Sequence, residues 1–392
     1  GNDHDPVWSP DGQWLAFLSI QDNVSDVWVV PAAGGEPRQL TDDEAGQEHV
    51  RWTPDGAGVV FSRAERQSRL WWASALEEEA RPLTDGSAEV GQPAVEPDGR
   101  RVAYVSGAGA NDDLFLLDLT TGETERLTSL TAGAARPRWA PGGARLVFES
   151  SQGGNSDLWS LELGSGESRQ LTTAPARDFE PAWSPEGDAL AFTSNRADGE
   201  AEVWRLTLGA EEPARVTFQG GTRPRWHPSG ERLLFQSAGG GDGRMQVWEI
   251  DLASGETVAL TDGPYGAVAE YSPDGEDLVF QEHTGEHFEV RLQSRAGAPA
   301  LALGEGLDEE TRPRWAPSGG RVAYLYGSAG TRDLVVVSVD GDERRIVSQP
   351  EAAVSDYAWT PDGEALVFSQ VETRTNLWQV DLSSLAAAAV TP

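Results

Sequence analysis

Arginine and carboxylate side chains recur at fixed places in this chain, and no other residues are better equipped for chemistry. Three segments read Arg136-Pro137-Arg138-Trp139, Arg223-Pro224-Arg225-Trp226 and Arg312-Pro313-Arg314-Trp315, and His49-Val50-Arg51-Trp52 is a weaker fourth. Between them, Asp5, Glu180, Glu270 and Asp356 put acids at or near the matching positions. A guanidinium is a planar fork of N–H donors that suits carboxylate or phosphate, so convergent arginines could bind an anion. The alternating acids could equally pair with those arginines and fill the space between them, since buried charge needs a partner. On the residues alone both readings stand.

Composition narrows the remaining chemistry. The chain has no cysteine, which excludes disulfides, thiolate nucleophiles and cysteine-ligated metal. It also has no lysine, so all 30 basic residues are arginine, and Schiff-base chemistry and a P-loop lysine are excluded. With 64 acidic residues the formal charge is −34, which disfavours a nucleic-acid backbone or an anionic membrane as partner. There are five histidines: His4, His49, His227, His283 and His287. His283-Thr284-Gly285-Glu286-His287 matches the H-x-x-E-H zinc signature in letters, but that motif needs a helix to bring both rings to one face. Here it falls in a hairpin, with Gly285 at the turn. No nucleophile elbow occurs, and no histidine sits in a nucleophile–base motif. The reading is of no catalytic residue, no metal and no cofactor.

The elements that must position these side chains are repeats. A turn proline recurs at Pro10, Pro54, Pro97, Pro141, Pro185, Pro228, Pro273, Pro317 and Pro361, at spacings of 43 to 45 residues, and a glycine stands two residues after each. Proline presets φ and glycine takes the positive-φ position, so each tetrapeptide of the Ser9-Pro10-Asp11-Gly12 kind predicts a tight hairpin. Each copy holds four strand-length apolar runs. In the fourth copy these are Arg136 to Trp139, Arg145 to Glu149, Asp157 to Leu163 and Ser168 to Thr172. The second strand carries an aromatic in every copy, from Phe17 to Phe368, and the third usually a tryptophan, as at Trp28, Trp71 and Trp159. The fourth ends in a Leu-Thr-like pair such as Leu127-Thr128. Aromatics at one depth in every unit read as core between stacked sheets.

Four-stranded units of about 44 residues that cannot bury both faces alone pack around an axis, the propeller solution. Trp183-Ser184-Pro185-Glu186-Gly187, followed by Leu190-Ala191-Phe192-Thr193-Ser194, resembles the TolB-type β-propeller repeat, and the resemblance extends over essentially the whole chain. The expectation is an all-β fold: one domain over 1–392, a single closed ring of nine four-stranded blades. Those blades would be 1–44, 45–87, 88–131, 132–175, 176–218, 219–263, 264–307, 308–351 and 352–392, each complete from its own residues, with no strand exchange. Copies three and seven, where Val95 and Tyr271 replace the first-strand tryptophan, should be the least regular. Arg51, Arg136, Arg138, Arg223, Arg225, Arg312 and Arg314 would line the channel with Asp5, Glu180, Glu270 and Asp356. At the junction of copies nine and one, Asp5 and Asp356 would meet, and one of them would have a raised pKa, bind a cation or be relieved by an arginine across the channel, next to a weak strand at Ala386-Ala387-Ala388-Ala389.

The resemblance implies a non-enzymatic, extracytoplasmic scaffold, a monomer without membrane insertion that binds a protein or small ligand at the channel mouth or loop face. An alternative is the substrate-gating propeller of a prolyl oligopeptidase-like hydrolase whose catalytic domain is absent from this chain.

Overall fold

Every turn glycine does what its place after the proline demands. The nine glycines, Gly12 to Gly363, have φ between 69° and 78°, a region that side chains rarely adopt. In the fourth copy the Gly143 N–H closes the turn on the Ala140 carbonyl at 2.9 Å. The computed structural model describes residues 2–382 apart from 22–23, 43–45, 108–111, 198, 240–242, 264, 295–299, 307–310, 329–330 and 351. Among these, all helical or strand structure is β-strand.

One copy explains the rest. In the fourth, strands Ala135–Trp139, Arg145–Ser150, Asp157–Glu162 and Glu167–Gln170 pair antiparallel in chain order. Phe148 lies opposite Trp159 across the second and third strands, as Phe192 lies opposite Trp204 and Phe235 opposite Trp248. The second-strand aromatic is buried in eight copies, from Phe61 to Phe368, and half-buried at Phe17; the third-strand tryptophans are half-buried except Trp378, which is exposed. Leu146, Phe148 and Leu161 share a core with Ala103, Val105 and Leu114 of the preceding sheet, whereas Val147 and Leu158, from the other face, pack against Leu190 and Phe192 of the next. A fully buried phenylalanine contributes about 1.5–3 kcal/mol. The Leu-Thr ending is a latch. Thr128 Oγ1 accepts the Leu114 N–H at 2.9 Å and donates to the Asp113 carboxylate at 2.8 Å, and Thr41 does the same with Val27 and Asp26.

The chain divides into two compact units. The larger, Ser68–Val371, holds seven sheets arranged as a ring. Six are the complete copies three to eight. The seventh is a hybrid: Ala353–Trp359 and residues 365–371 of copy nine supply its inner strands, while residues 68–74 and Ala80–Pro82 of copy two supply its outer ones. The Ala75 N–H donates to the Glu364 carbonyl at 2.8 Å, and Trp71 packs against the core that contains Phe368. Around the ring each turn glycine abuts the turn of the preceding blade, as Gly143 does Pro97 and Gly187 does Pro141. The circle closes with Gly99 against Pro361, and the innermost strands of copies nine and three are in contact.

The smaller unit comprises Gly1–Gln67 and Glu372–Pro392. It contains the four strands of copy one, Asn2–Trp8, Trp14–Gln21, Val24–Pro31 and Arg38–Gln39, and a second sheet of Gly46–Trp52, residues 58–67 and residues 372–381. Ala16, Val27 and Val29 share a core there with Val50, Phe61 and Leu382.

These observations correct three expectations. Nine self-contained blades in one ring do not form: the two 17-residue strands Gly58–Ser74 and Ala365–Asp381 run on where other copies turn, so copies two and nine exchange partners. Strand exchange therefore occurs. Copy three is a regular four-stranded sheet; copy seven is four-stranded too but, as expected, less regular, its third and fourth strands slipping in register between Val290 and Arg291, and Tyr271 keeps a bond to the preceding blade by donating its hydroxyl to Glu249 at 2.5 Å. Ala386 to Ala389 lie outside the described residues.

Candidate functional site

The innermost strands of copies one to seven carry a bulge five residues before the turn proline, and copy eight has the same backbone conformation there. Asp5, His49, Gln92, Arg136, Glu180, Arg223, Val268 and Arg312 occupy that position with φ between 44° and 57°, at a cost of about 1–2 kcal/mol each for a non-glycine residue. The register slips by one there, for example between Ala135 and Arg138. Proline follows at Pro6, Pro93, Pro137, Pro181, Pro224 and Pro313, which a bulge tolerates because no ladder N–H is needed. The bulge turns one backbone N–H toward the preceding blade: Glu180 donates to Glu149 at 2.8 Å, Arg223 to Thr193 at 3.1 Å, and Val268 to Gln236 at 3.1 Å.

Within the larger unit these strands surround a cavity of about 700 Å³. Two tiers of side chains line it. The bulge tier is Gln92, Arg136, Glu180, Arg223, Val268, Arg312 and Asp356; the tier two residues further along is Ala94, Arg138, Ala182, Arg225, Glu270, Arg314 and Ala358. Alanine between charged residues leaves room for the arginines to extend. The backbone of the second tier is fixed by indoles of the following blade, since Trp183 Nε1 donates to the Arg138 carbonyl at 3.2 Å and Trp359 Nε1 to that of Arg314 at 3.2 Å.

Pairing is uneven. Arg136 meets Glu149 at 3.2 Å, Arg223 meets Glu180 at 3.2 Å, and Arg314 and Arg312 meet Asp356 at 3.0 and 3.8 Å. Arg138 and Arg225 donate only to the carbonyls of Pro137 at 3.1 Å and Pro224 at 2.9 Å, and among the described residues neither has a carboxylate within 4.0 Å. Burial pulls Arg138 down to about 10, with Arg314 and Arg225 pushing the same way; at neutral pH it is still a cation. Burial likewise lowers Arg225 against the pull of Glu270 and Glu180. Glu270 is raised by burial, which the attraction of Arg225 and Arg314 does not offset, and no arginine nitrogen lies within 4.0 Å of it. Asp356 is also disfavoured by burial, but Arg314, Arg138 and Arg312 together hold it below the usual carboxylate range.

The structure thus brings Arg136, Arg138, Glu180, Arg223, Arg225, Glu270, Arg312, Arg314 and Asp356 to one cavity. Asp5 and Arg51 belong to the smaller unit, where they pair with each other at 3.4 Å. The expected meeting of Asp5 and Asp356 is corrected accordingly: Asp5 belongs to the smaller unit, and the ring neighbour of Asp356 on its other side is copy three; of the three outcomes expected for such a carboxyl, Asp356 shows relief by arginine, with Arg314, Arg138 and Arg312 holding it low. Sequence reasoning passed over Gln92, Val268 and the three alanines. They carry no charge, and only alignment on the turn proline marks them. His283 and His287 stand in a hairpin, His287 Nε2 being 3.4 Å from Glu289 and His283 Nδ1 accepting the Gly285 N–H at 3.1 Å.

A sequence model of the TolB beta propeller domain matches residues 77–223 and 221–363. The uncharacterized peptidase YuxL of Bacillus subtilis is 28% identical over 186 residues, 44% of this chain and 25% of that protein. The Tol-Pal system protein TolB of Nitratidesulfovibrio vulgaris is 33% identical over 107 residues, 26% of this chain and 24% of that protein. The chain therefore spans about a quarter of the length of either relative. A puromycin-hydrolyzing peptidase of Mycobacterium tuberculosis has a solved structure that aligns with a TM-score of 0.53 at 16% identity, covering 86% of this chain and 58% of that one, which speaks to fold alone.

Proposed function

Because the chain belongs to the TolB beta propeller family by a match that runs from residue 77 to residue 363, we propose that it is a non-enzymatic binding propeller that holds a small ligand or a protein segment in the channel of its larger unit. The observation that supports this reading is the cavity of about 700 Å³, within the ~300–1,000 Å³ usual for ligand sites and lined by convergent polar groups on rigid strands. The likeness to TolB proteins supports an extracytoplasmic location. No helix in the described residues is long and apolar enough to cross a membrane.

The test has two arms. Purified chain is assayed on chromogenic ester and peptide substrates, and its melting is followed against a panel of neutral, cationic and anionic small molecules and short peptides. No turnover is expected, and at least one class should raise the melting temperature of the wild type but not of Ala182→Trp, which puts a bulky ring into the channel. Turnover that stays with the protein through orthogonal purification overturns the non-enzymatic reading. A panel that never distinguishes the two proteins overturns the channel.

A second reading is favoured by the peptidase relatives, of which the chain spans a minor part: a propeller that filters access to a separate hydrolase domain. A natural reading frame continuing into an α/β-hydrolase segment would decide for it.

A further inference from the structure

We propose that Arg138, Arg225 and Arg314 form a binding site for a small anion carrying two or three carboxylate or phosphate groups. The proposal rests on the channel being a ligand site and names the class of ligand.

The three guanidiniums come from alternate blades, with Ala182 between the first two, so they extend into shared space from different sides of the ring. They are near enough for their charges to interact, Arg138 feeling both Arg314 and Arg225, and Arg225 feeling Arg314. Their counter-charge is incomplete. Six arginines and three carboxylates line the cavity, in a chain whose formal charge is −34. Asp356 is taken by Arg314 and Arg312, and Glu180 by Arg223. Glu270 is the single acid of the deeper tier, and it makes no ion pair within 4.0 Å. Half-buried guanidiniums without a carboxylate are costly, and a fork with N–H donors left over is a demand for acceptor oxygens. Arg138 and Arg225 spend one nitrogen each on a backbone carbonyl of their own strand, which orients the rest of each fork without neutralising it.

The surrounding negative surface argues against a long polyanion, whose outer charges would be repelled. A small anion that enters completely meets a local excess of positive charge. Three separate guanidiniums favour a multivalent anion over a monovalent one, because each bidentate contact satisfies a different blade. The source of the acceptors, carboxylate or phosphate, is the same chemistry at this site.

The experiment is calorimetric titration and melting of the full chain with citrate and with inorganic pyrophosphate, at constant ionic strength set with potassium chloride. Acetate is the monovalent control, and constant ionic strength removes general screening of the acidic surface. Saturable one-to-one binding of citrate or pyrophosphate is expected; citrate alone would mark a carboxylate ligand, pyrophosphate alone a phosphate one. Arg138→Gln and Arg225→Gln should each weaken it at least about tenfold, and Glu270→Gln should tighten it several-fold by removing the one carboxylate of the lining that no arginine pairs within 4.0 Å. Equal responses to all anions and to chloride mean adventitious ions only and overturn the proposal, as does wild-type affinity in both arginine variants. Should those variants fail to fold, Glu270→Gln decides: unchanged or weaker binding overturns it. If neither anion binds but a neutral or cationic molecule is held by the wild type and lost in Ala182→Trp, the anion class is wrong and the channel reading stands. If nothing is lost in Ala182→Trp, both fail.

Discussion

Asp356 Oδ1 lies 3.0 Å from Arg314 Nη2, and that pair joins the hybrid blade to the complete blade beside it. Asp356 is only 9% exposed and Arg314 25%, so water screens the attraction poorly. The carboxyl is pushed up by burial but held low overall by Arg314, Arg138 and Arg312. A depressed folded pKa gives stability that is present above the unfolded aspartate value of about 3.9 and is lost as pH falls through the lower folded value. Asp356→Asn should therefore cost about 2–3 kcal/mol at pH 7, less than the ~3–5 kcal/mol of a fully buried broken pair. The difference from wild type should shrink as pH falls below the unfolded aspartate value and vanish only below the lower folded one. Urea unfolding across pH checks both.

Glu270 predicts the opposite sign. Its folded pKa is raised, chiefly by burial, so its contribution is fully favourable below the unfolded glutamate value and is lost as pH rises through the folded one. Glu270→Gln should be at least as stable as wild type at pH 7, and the two should converge near pH 4. Melting curves of both proteins against pH measure this, without any ligand.

The threonine latch can be broken in one blade. Thr128→Val keeps the shape but leaves the Leu114 N–H and the Asp113 carboxylate each short of a partner. The expected loss is about 1–3 kcal/mol, and Thr128→Ser should recover most of it. Denaturant midpoints at constant slope would show it; a valine variant as stable as wild type would mean that the latch contributes nothing.

Strand exchange makes a prediction about length. All seven blades of the larger unit are complete within Ser68–Val371. A chain of residues 68–371 should fold with a single cooperative transition and keep the channel. A chain of residues 88–392, cut at the copy-three boundary as if blades were self-contained, lacks the outer strands 68–74 and Ala80–Pro82 of the closing blade. It should melt lower.

The charge of −34 should make stability rise with salt, because screening reduces self-repulsion once the Debye length falls from about 10 Å at 0.1 M to about 3 Å at 1 M. Melting temperatures that fall from low to molar potassium chloride would contradict this.

The sequence by itself determined the blade. Proline and glycine two residues apart dictate the turn, the aromatic pair dictates the sheet interior, and charged residues counted back from Pro141, Pro228, Pro317 and Pro361 mark the wall of the channel. These are local matters, decided within some 44 residues of chain. What only the tertiary structure decided was which blade partners which. The outer strands of copies two and nine carry the same apolar and aromatic register, so Trp71 can face the core of Phe368 as well as it could that of Phe61. No local pattern separates those pairings. One signal did lie in the sequence: copies two and nine have no glycine, proline or aspartate between their second- and third-strand aromatics, Phe61 to Trp71 and Phe368 to Trp378, where a hairpin would have to turn, whereas copy one, which also lacks glycine and proline there, has Asp22. Without a turn the strand runs straight on, its far half must pair elsewhere, and the ring closes on seven sheets with Asp356 set against Arg314. Ring closure likewise decided the membership of the channel: it places Asp5 with Arg51 in the smaller unit and leaves Arg138 and Arg225 without a carboxylate within 4.0 Å among the described residues.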